Sequence, residues 1–125
     1  MQRFSDEELD REVLFILKQH RGKHNPVSRW AMVAAIFGPA AAVVENDDNP
    51  ADRVIRESIA RQRKGGLLVC NVGDGRGSYL ASTLDEYNEF RQYYGAAAFD
   101  KINTIHSMDD SAKEQFPDML QPRLI

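Results

Sequence analysis

The chain is poor in cysteine, in long apolar runs and in apolar residues at its start, and each shortage excludes a class of protein. Its one cysteine, Cys70, cannot form an internal disulfide, and its apolar neighbours indicate a small core residue rather than a reactive thiol. The least polar run, Trp30 to Val44, is interrupted by Gly38 and Pro39 and is too short to cross a bilayer. The acidic N-terminus does not resemble a signal peptide. We therefore expect a cytoplasmic protein that makes no use of a membrane.

The motifs of catalytic, metal and phosphate-loop sites are also missing. His20, His24 and His106 lack the spacing to cysteines or paired carboxylates that metal ligands show. The glycine-rich segment 73–77 lacks the Gly-Lys-Ser/Thr ending of a P-loop and precedes a strand, which favours a hairpin turn. No serine or cysteine lies in a recognisable nucleophile motif. We expect no enzymatic activity, no catalytic residue, no metal and no cofactor.

The composition that is present suits one globular domain with an appendage. The 125 residues are 42% hydrophobic and 28% charged, which is enough for a single core. The net charge of −3 is unevenly distributed. The segment from Arg53 to Arg76 contains six basic and two acidic residues. From Thr83 onward there are four basic and eight acidic residues. A basic stretch beside an acidic tail is typical of a protein with one nucleic-acid-binding face.

Capping signals and apolar periodicity predict three short helices in the first half of the chain. Ser5 and Glu8 have the spacing of a capping box, Ser28 is placed to cap a second helix, and Asn49-Pro50 begins a third. The residues predicted to face the core are Leu9, Val13, Ile16, Leu17, Trp30, Val33, Ile36, Phe37, Val54, Ile55 and Ile59. The segment after Pro39 fits either a helical turn or a packed loop.

The second half predicts a β-hairpin and one long helix. Two β-rich runs, 67–72 and 78–81, flank the glycine-rich turn. Thr83 and Glu86 form a second capping pair, after which apolar residues recur in steps of three and four for about seven turns. The predicted organisation is a domain at 5–82, a C-terminal helix at 83–116 and an irregular tail at 117–125.

These elements predict an α+β, mainly α fold that resembles a known family. The similarity lies in Arg53 to Ile59, followed by Gly66, Leu68-Val69-Cys70, Gly77 to Ala81 and Thr83 to Glu86. This succession resembles the third helix and wing of winged-helix (winged helix-turn-helix) DNA-binding proteins, above all short ones of phages and mobile elements. The resemblance covers roughly residues 5–90. Segment 39–48 departs from it, because the turn between the second and third helices is usually about three or four residues long.

The resemblance implies a protein that binds double-stranded DNA, as a transcriptional regulator or a phage or mobile-element accessory factor. The third helix would enter the major groove. Arg53 and Arg56 near its start would contact bases or backbone, and Arg76 would extend from the wing. The implied DNA-binding residues are Ser28, Arg29, Arg53, Arg56, Arg61, Arg63, Lys64 and Arg76. We expect replacement of Arg53 and Arg56 to weaken DNA binding and to spare stability, because both are predicted off the apolar stripe.

The long last helix holds more apolar surface than a free helix, so it either folds back or pairs with a second copy. We predict a homodimer through Tyr87, Phe90, Tyr94, Ile102 and Ile105. A base-stacking role for the aromatic residues is the less favoured interpretation. The alternative to DNA binding is a protein–protein interaction adaptor on the same scaffold, which an acidic surface around the third helix would favour.

Overall fold

The computed structural model describes residues 3–117 as a mainly helical α+β fold with one small antiparallel sheet. The elements in chain order are α1 (Asp6–Leu17), α2 (Arg29–Phe37), a 3-10 turn (Pro39–Ala42), α3 (Pro50–Lys64), β1 (Val69–Cys70), β2 (Tyr79–Leu80) and α4 (Leu84–Gln115). They form two compact units, divided between Phe90 and Arg91. Within residues 3–117, no helix is long and apolar enough to span a membrane.

The predicted helix starts are confirmed by their side-chain caps. The Ser5 hydroxyl accepts from the Glu8 amide at 3.1 Å, and the Glu8 carboxylate accepts from the Ser5 amide at 3.3 Å. Ser28 caps α2 through the amide of residue 31. The Asn49 side chain accepts from two amides of the first turn of α3, with Pro50 as its first residue. Each cap satisfies amides that have no partner within a helix, so these starts are encoded locally.

The core lies between α1, α2, α3 and the sheet. Its buried apolar residues are Leu9, Val13, Leu17, Val27, Met32, Val33, Ile36, Ala51, Ile55, Val69 and Leu80. The predicted inward positions of α1 are confirmed, with Ile16 half-buried at the edge. Trp30 and Phe37 are also only half-buried, whereas Met32, which the periodicity did not select, is buried. Buried aliphatic side chains each stabilise a fold by roughly 1.5–3 kcal/mol, so this cluster supplies most of the driving force.

The predicted hairpin is confirmed, but its strands are only two residues long. Val69 pairs with Leu80 and Cys70 with Tyr79, and residues 71–78 form the connection, here called the hairpin turn. Gly77 has φ 123°, and a Cβ there would lie 2.0 Å from the carbonyl oxygen of Val27, so only glycine fits. This close approach lets the link between α1 and α2 run beside the sheet.

That link pairs with β2 and with Ser78, the residue just before it, which its predicted extended form did not specify. The Val27 amide donates to the Ser78 carbonyl at 2.8 Å, and the Ser78 amide donates back at 2.9 Å. A further bridge joins Arg21 to Leu80. The link therefore lies on the free edge of β2 and holds the start of α2 next to the hairpin turn.

A second apolar cluster covers the sheet with the beginning of α4. It consists of Cys70, Tyr79 and Phe90, with Tyr87 half-buried beside them. Cys70 is buried, as the sequence predicted, and burial raises the pKa of its thiol. Because Tyr87 and Phe90 pack on the hairpin, the first unit extends into α4, beyond residue 82. Phe90, which we expected at a dimer interface, packs inside this unit.

The start of α4 is held by Glu86 rather than by the full capping box we predicted. The Thr83 hydroxyl accepts from the Glu86 amide at 3.2 Å, as expected. The Glu86 carboxylate, however, accepts from the backbone amides of Lys23 at 2.9 Å and Ser82 at 2.8 Å. These donors favour the charged carboxylate and lower the pKa of Glu86 from 4.5 to about 2. Glu86 thus joins the α1–α2 link to α4.

The second unit, as far as the structure describes it, is α4 from Arg91 onward and the two residues after it. Large exposed apolar side chains are frequent there, namely Tyr93, Tyr94, Phe99, Ile105, Met108 and Phe116. Of the residues predicted for a dimer interface, Tyr94 and Ile105 are exposed and Ile102 is half-buried. Eleven residues are about three helical turns, so Tyr94 and Ile105 share one face of α4. The predicted irregular tail lies, from residue 118, outside the described residues.

Candidate nucleic-acid interface

A groove of about 440 Å³ separates α3 from the hairpin turn. Its apolar lining comes from Val27, Met32, Ile55 and Ile59. Its polar lining consists of Arg29, Asp52, Arg56, Arg63, Asn71, Ser78 and the turn glycines Gly73, Gly75 and Gly77. Three of the arginines predicted to contact DNA therefore meet at one place, although they come from two different helices.

A buried carboxylate holds two of these arginines. Asp52, in the first turn of α3, has a side chain that is 0% exposed. The Arg29 guanidinium donates to both of its oxygens, with Nε to Oδ1 at 3.0 Å, and Arg56 Nε donates to Oδ2 at 2.8 Å. The side chains of Arg29 and Arg56 are 41% and 47% exposed. A buried charge must be paired and hydrogen-bonded to be tolerated, so Asp52 fixes both guanidiniums while leaving them open to solvent.

The loop before α3 adds a second set of contacts to the same arginines. Arg29 Nη2 donates to Asp47 Oδ1 at 2.9 Å, and Arg56 Nη2 donates to the Asp47 carbonyl at 2.9 Å. The bonds that Arg29 donates to Asp52 first, and then to Asp47, raise the pKa of Arg29, and the bond from Arg29 lowers the pKa of Asp47. The Arg29 guanidinium also lies 4.5 Å from the centroid of the Trp30 ring, a cation–π contact.

The unexpected length of segment 39–48 now has a structural role. Its first part forms the 3-10 turn, which is one of the two forms the sequence left open. The Asn49 side-chain amide donates to the carbonyls of Ala41 at 2.7 Å and Val44 at 2.9 Å. These bonds tie the loop to the start of α3, and the loop in turn carries Asp47 to the arginines.

Arg63, near the end of α3, lines the groove on the side of the sheet. Its Nε donates to the Val69 carbonyl at 2.9 Å, and its guanidinium lies 5.1 Å from the centroid of the Phe90 ring. It therefore connects α3 to both the hairpin and α4.

The other residues predicted to bind DNA lie at separate positions, most of them outside the groove. Arg53 and Lys64 are exposed on α3 but do not line the groove. Arg76, in the hairpin turn, is exposed and donates through Nε to Asp74 at 2.6 Å. The hydrogen bond from the Arg76 backbone amide, and then the one from its side chain, lower the pKa of Asp74. The Ser28 hydroxyl is used by the helix cap.

Arg61 belongs to a different contact, between α1 and α3. Its Nη2 donates to Asp10 Oδ1 at 2.7 Å, and the Ser58 hydroxyl donates to the same carboxylate at 2.6 Å. The bond from Arg61 lowers the pKa of Asp10. Arg61 thus joins α3 to α1 and is not part of the candidate interface.

Sequence reasoning missed the carboxylates of the site. Neither Asp52 nor Asp47 is among the residues that the sequence predicts for the interface. The available signal was the spacing of Asp52 and Arg56, which places them on one helical face. Nothing local marks the pairing of Asp52 with Arg29, because the two residues are 23 positions apart.

The arrangement can recognise an anionic surface. Among residues 3–117, three guanidiniums and one carboxylate, that of Asp52, line the groove, and Asp47 is paired nearby. Within residues 3–117, no three His, Cys, Asp or Glu side chains are grouped as a metal site requires.

Comparison of the chain with protein-family models, with curated proteins and with solved structures gives no match.

Proposed function

We propose that the chain is a winged-helix protein that binds double-stranded DNA through α3, the start of α2 and the hairpin turn. The succession of three helices, an antiparallel hairpin and a further helix supports this proposal. So does the pairing of the α1–α2 link with β2, because it holds the start of α2 beside the turn. We propose a role as a transcriptional regulator or mobile-element accessory factor that works without catalysis, metal or cofactor.

The observation that carries the proposal is the pair of arginines fixed by Asp52. A guanidinium has five N–H donors, and the bonds to Asp52 and Asp47 use three on Arg29 and two on Arg56. The remaining donors are available for a phosphate or a guanine edge. Because the side chains are already ordered, less conformational entropy is lost when they bind.

In this proposal the basic residues in and around the groove contact different parts of the DNA. Arg53 and Arg56 contact bases or backbone from the start of α3, and Arg63 and Lys64 contact phosphates near its end. Arg76 extends the surface along the hairpin turn. Ser28 and Arg29 approach the backbone at the start of α2, where helix amides favour anions.

We further propose that the protein acts as a homodimer through the second unit. Phe99, Ile105 and Met108 are 69%, 41% and 65% exposed, which is a large apolar surface for one helix. Tyr94 and Ile102 remain in the proposed interface. A dimer would present two α3 helices to half-sites about 34–36 Å apart.

The test is a fluorescence-anisotropy titration of duplex DNA at several salt concentrations, with Arg53→Ala and Arg11→Ala as matched variants. Both arginines are exposed on helices, but Arg11 lies on α1. We expect binding that weakens with salt, with a slope of about −0.9 per neutralised phosphate. Arg53→Ala should weaken binding and reduce the slope by about one if it contacts a phosphate, whereas Arg11→Ala should change neither.

Absence of binding at low salt would contradict the proposal and favour the adaptor alternative. One observation supports that alternative, since the exposed acidic residues Glu45, Asp47 and Asp48 lie just before α3. Such a surface suits a basic protein partner better than DNA. Equal losses of DNA-binding affinity in Arg53→Ala and Arg11→Ala would also contradict a DNA-binding surface located at α3.

A further inference from the structure

We propose that the groove between α3 and the hairpin turn binds a small ligand that combines an anionic group with a flat apolar body. A nucleoside monophosphate has this chemistry. Binding of such a ligand does not depend on the proposed function, although competition between the ligand and DNA rests on it.

The size and apolar lining of the groove support this inference. Small-molecule sites usually have volumes of about 300–1,000 Å³ and are lined mainly by apolar side chains with a few polar groups. The groove has about 440 Å³. Val27, Met32 and Ile55 are largely buried in the core, so the surface they present to the groove is fixed by packing. Ile59, half-buried, adds a fourth apolar side chain.

The charged lining selects an anion. Arg29 and Arg56 are held by Asp52, and Arg63 is held by the Val69 carbonyl. Arginine guanidiniums bind phosphate and carboxylate groups through paired hydrogen bonds. The two nearby carboxylates, Asp47 and Asp52, are themselves paired with arginines, so neither presents an uncompensated negative charge to a ligand.

Contact with a DNA backbone does not account for the apolar part of the groove. Phosphates and sugars need charged and polar partners, and the flat faces of the bases are stacked inside a duplex. A free ligand can place its flat face on the apolar lining and its anion on the arginines at the same time. A small amphiphilic anion therefore uses both halves of the groove, whereas a duplex backbone uses one.

The fluorescence of Trp30 can report ligand binding in the groove. Trp30 is the one tryptophan, and its ring is in contact with the Arg29 guanidinium. A ligand that engages Arg29 should alter the fluorescence of Trp30. Calorimetry gives an independent measure of the same event.

The test titrates the full chain, without DNA, with thymidine 5′-monophosphate, thymidine and inorganic phosphate. We expect the monophosphate to bind and each of its two halves to bind at least about tenfold more weakly, because each half uses only part of the groove. Arg56→Gln should weaken monophosphate binding by about tenfold or more, through loss of a charge-assisted hydrogen bond. The control Arg53→Gln, on the same helix but outside the groove, should stay within about twofold.

Two results would overturn the inference. If inorganic phosphate binds as tightly as the monophosphate, the groove recognises only the anionic group. A DNA backbone could then occupy it equally well. Absence of binding by all three probes would exclude a ligand of this class.

The duplex titration then separates this inference from the proposed function. Monophosphate binding without DNA binding would leave the groove site standing alone, and the reverse result would leave only the DNA interface. Where both occur, saturating monophosphate should raise the apparent Kd for duplex DNA.

Discussion

Asp52 is the residue on which the candidate site depends. Its carboxylate is fully buried and is bonded by Arg29 and Arg56, which come from two helices. Removal of one partner leaves a buried charge with weaker compensation, which is destabilising even where the intact pair adds little net stability. The same two arginines are therefore structural and, in our proposal, functional.

This dual role changes what we expect of the arginine variants. Arg56→Ala should lower the free energy of unfolding by about 1–3 kcal/mol, because Asp52 loses a hydrogen bond. Arg53→Ala should change it by less than about 0.5 kcal/mol, as is usual for an exposed residue. Urea unfolding of both variants measures the difference. Equal stabilities would show that Arg29 alone satisfies Asp52.

The hydroxyl of Tyr79, unlike the carboxylate of Asp52, is a buried polar group that is not hydrogen-bonded in the described structure. Tyr79 is 1% exposed, and within residues 3–117 its hydroxyl has no hydrogen-bond partner. Burial raises the pKa of this group. Because an unsatisfied buried polar group is destabilising, Tyr79→Phe should leave stability unchanged or raise it by up to about 1 kcal/mol. Thermal unfolding of Tyr79→Phe measures the change in stability, with the exposed Tyr93→Phe as control. A clear loss of stability in Tyr79→Phe alone would contradict the prediction.

Among the elements, α4 is the one whose beginning depends most on a distant contact. Glu86 accepts from the amide of Lys23, and the Lys23 ammonium bonds Glu89 at 2.8 Å. The first turns of α4 are thereby joined to the α1–α2 link, while Phe90 packs on the sheet. Three contacts of different kinds hold the first turns of α4 within the first unit.

The lowered pKa of Glu86 makes its contribution depend on pH. The folded state favours the carboxylate, so its stabilising effect is full above about pH 4.5 and is lost as pH falls toward about 2. Glu86→Gln should therefore lower Tm at pH 7, with a difference from the parent that shrinks as pH falls through this range. Thermal unfolding between pH 7 and pH 2 measures this. As a control, Glu12→Gln on the exposed face of α1 should show no such pattern, and a constant difference for Glu86→Gln would contradict the assignment.

At the scale of the whole molecule, the two units are built differently. The first has a buried core drawn from three helices and the sheet. The second, over its described residues, is helix with large apolar side chains exposed. The first unit carries the proposed DNA face, and the second carries the surface that we propose pairs two copies.

A charge placed on that surface tests the dimer. Ile105→Asp should convert the protein from dimer to monomer, because desolvating a carboxylate at an apolar interface is unfavourable. Ser107→Asp adds the same charge at an exposed position about half a turn from Ile105 on α4 and should leave the dimer intact. Sedimentation analysis of the parent and both variants gives the result. A monomeric parent would contradict the proposal directly.

The sequence alone was sufficient for the local features of this protein. The caps of Ser5, Ser28 and Asn49 and the apolar stripe of α1 were predictable, because each depends on residues a few positions apart. The hairpin followed from its glycine-rich turn in the same way. Such signals are short-range, since they reflect backbone hydrogen bonding and helical periodicity.

Only the tertiary structure decided how the charged residues are used. Arg61 bonds Asp10 across 51 positions, the Lys23 ammonium bonds Glu89 across 66, and Arg29 bonds Asp52 across 23. In the sequence, Arg29 and Arg61 were equally eligible for the DNA-binding face. An ion pair between distant residues leaves no local pattern, because its partners meet only after the hydrophobic core has brought their helices together.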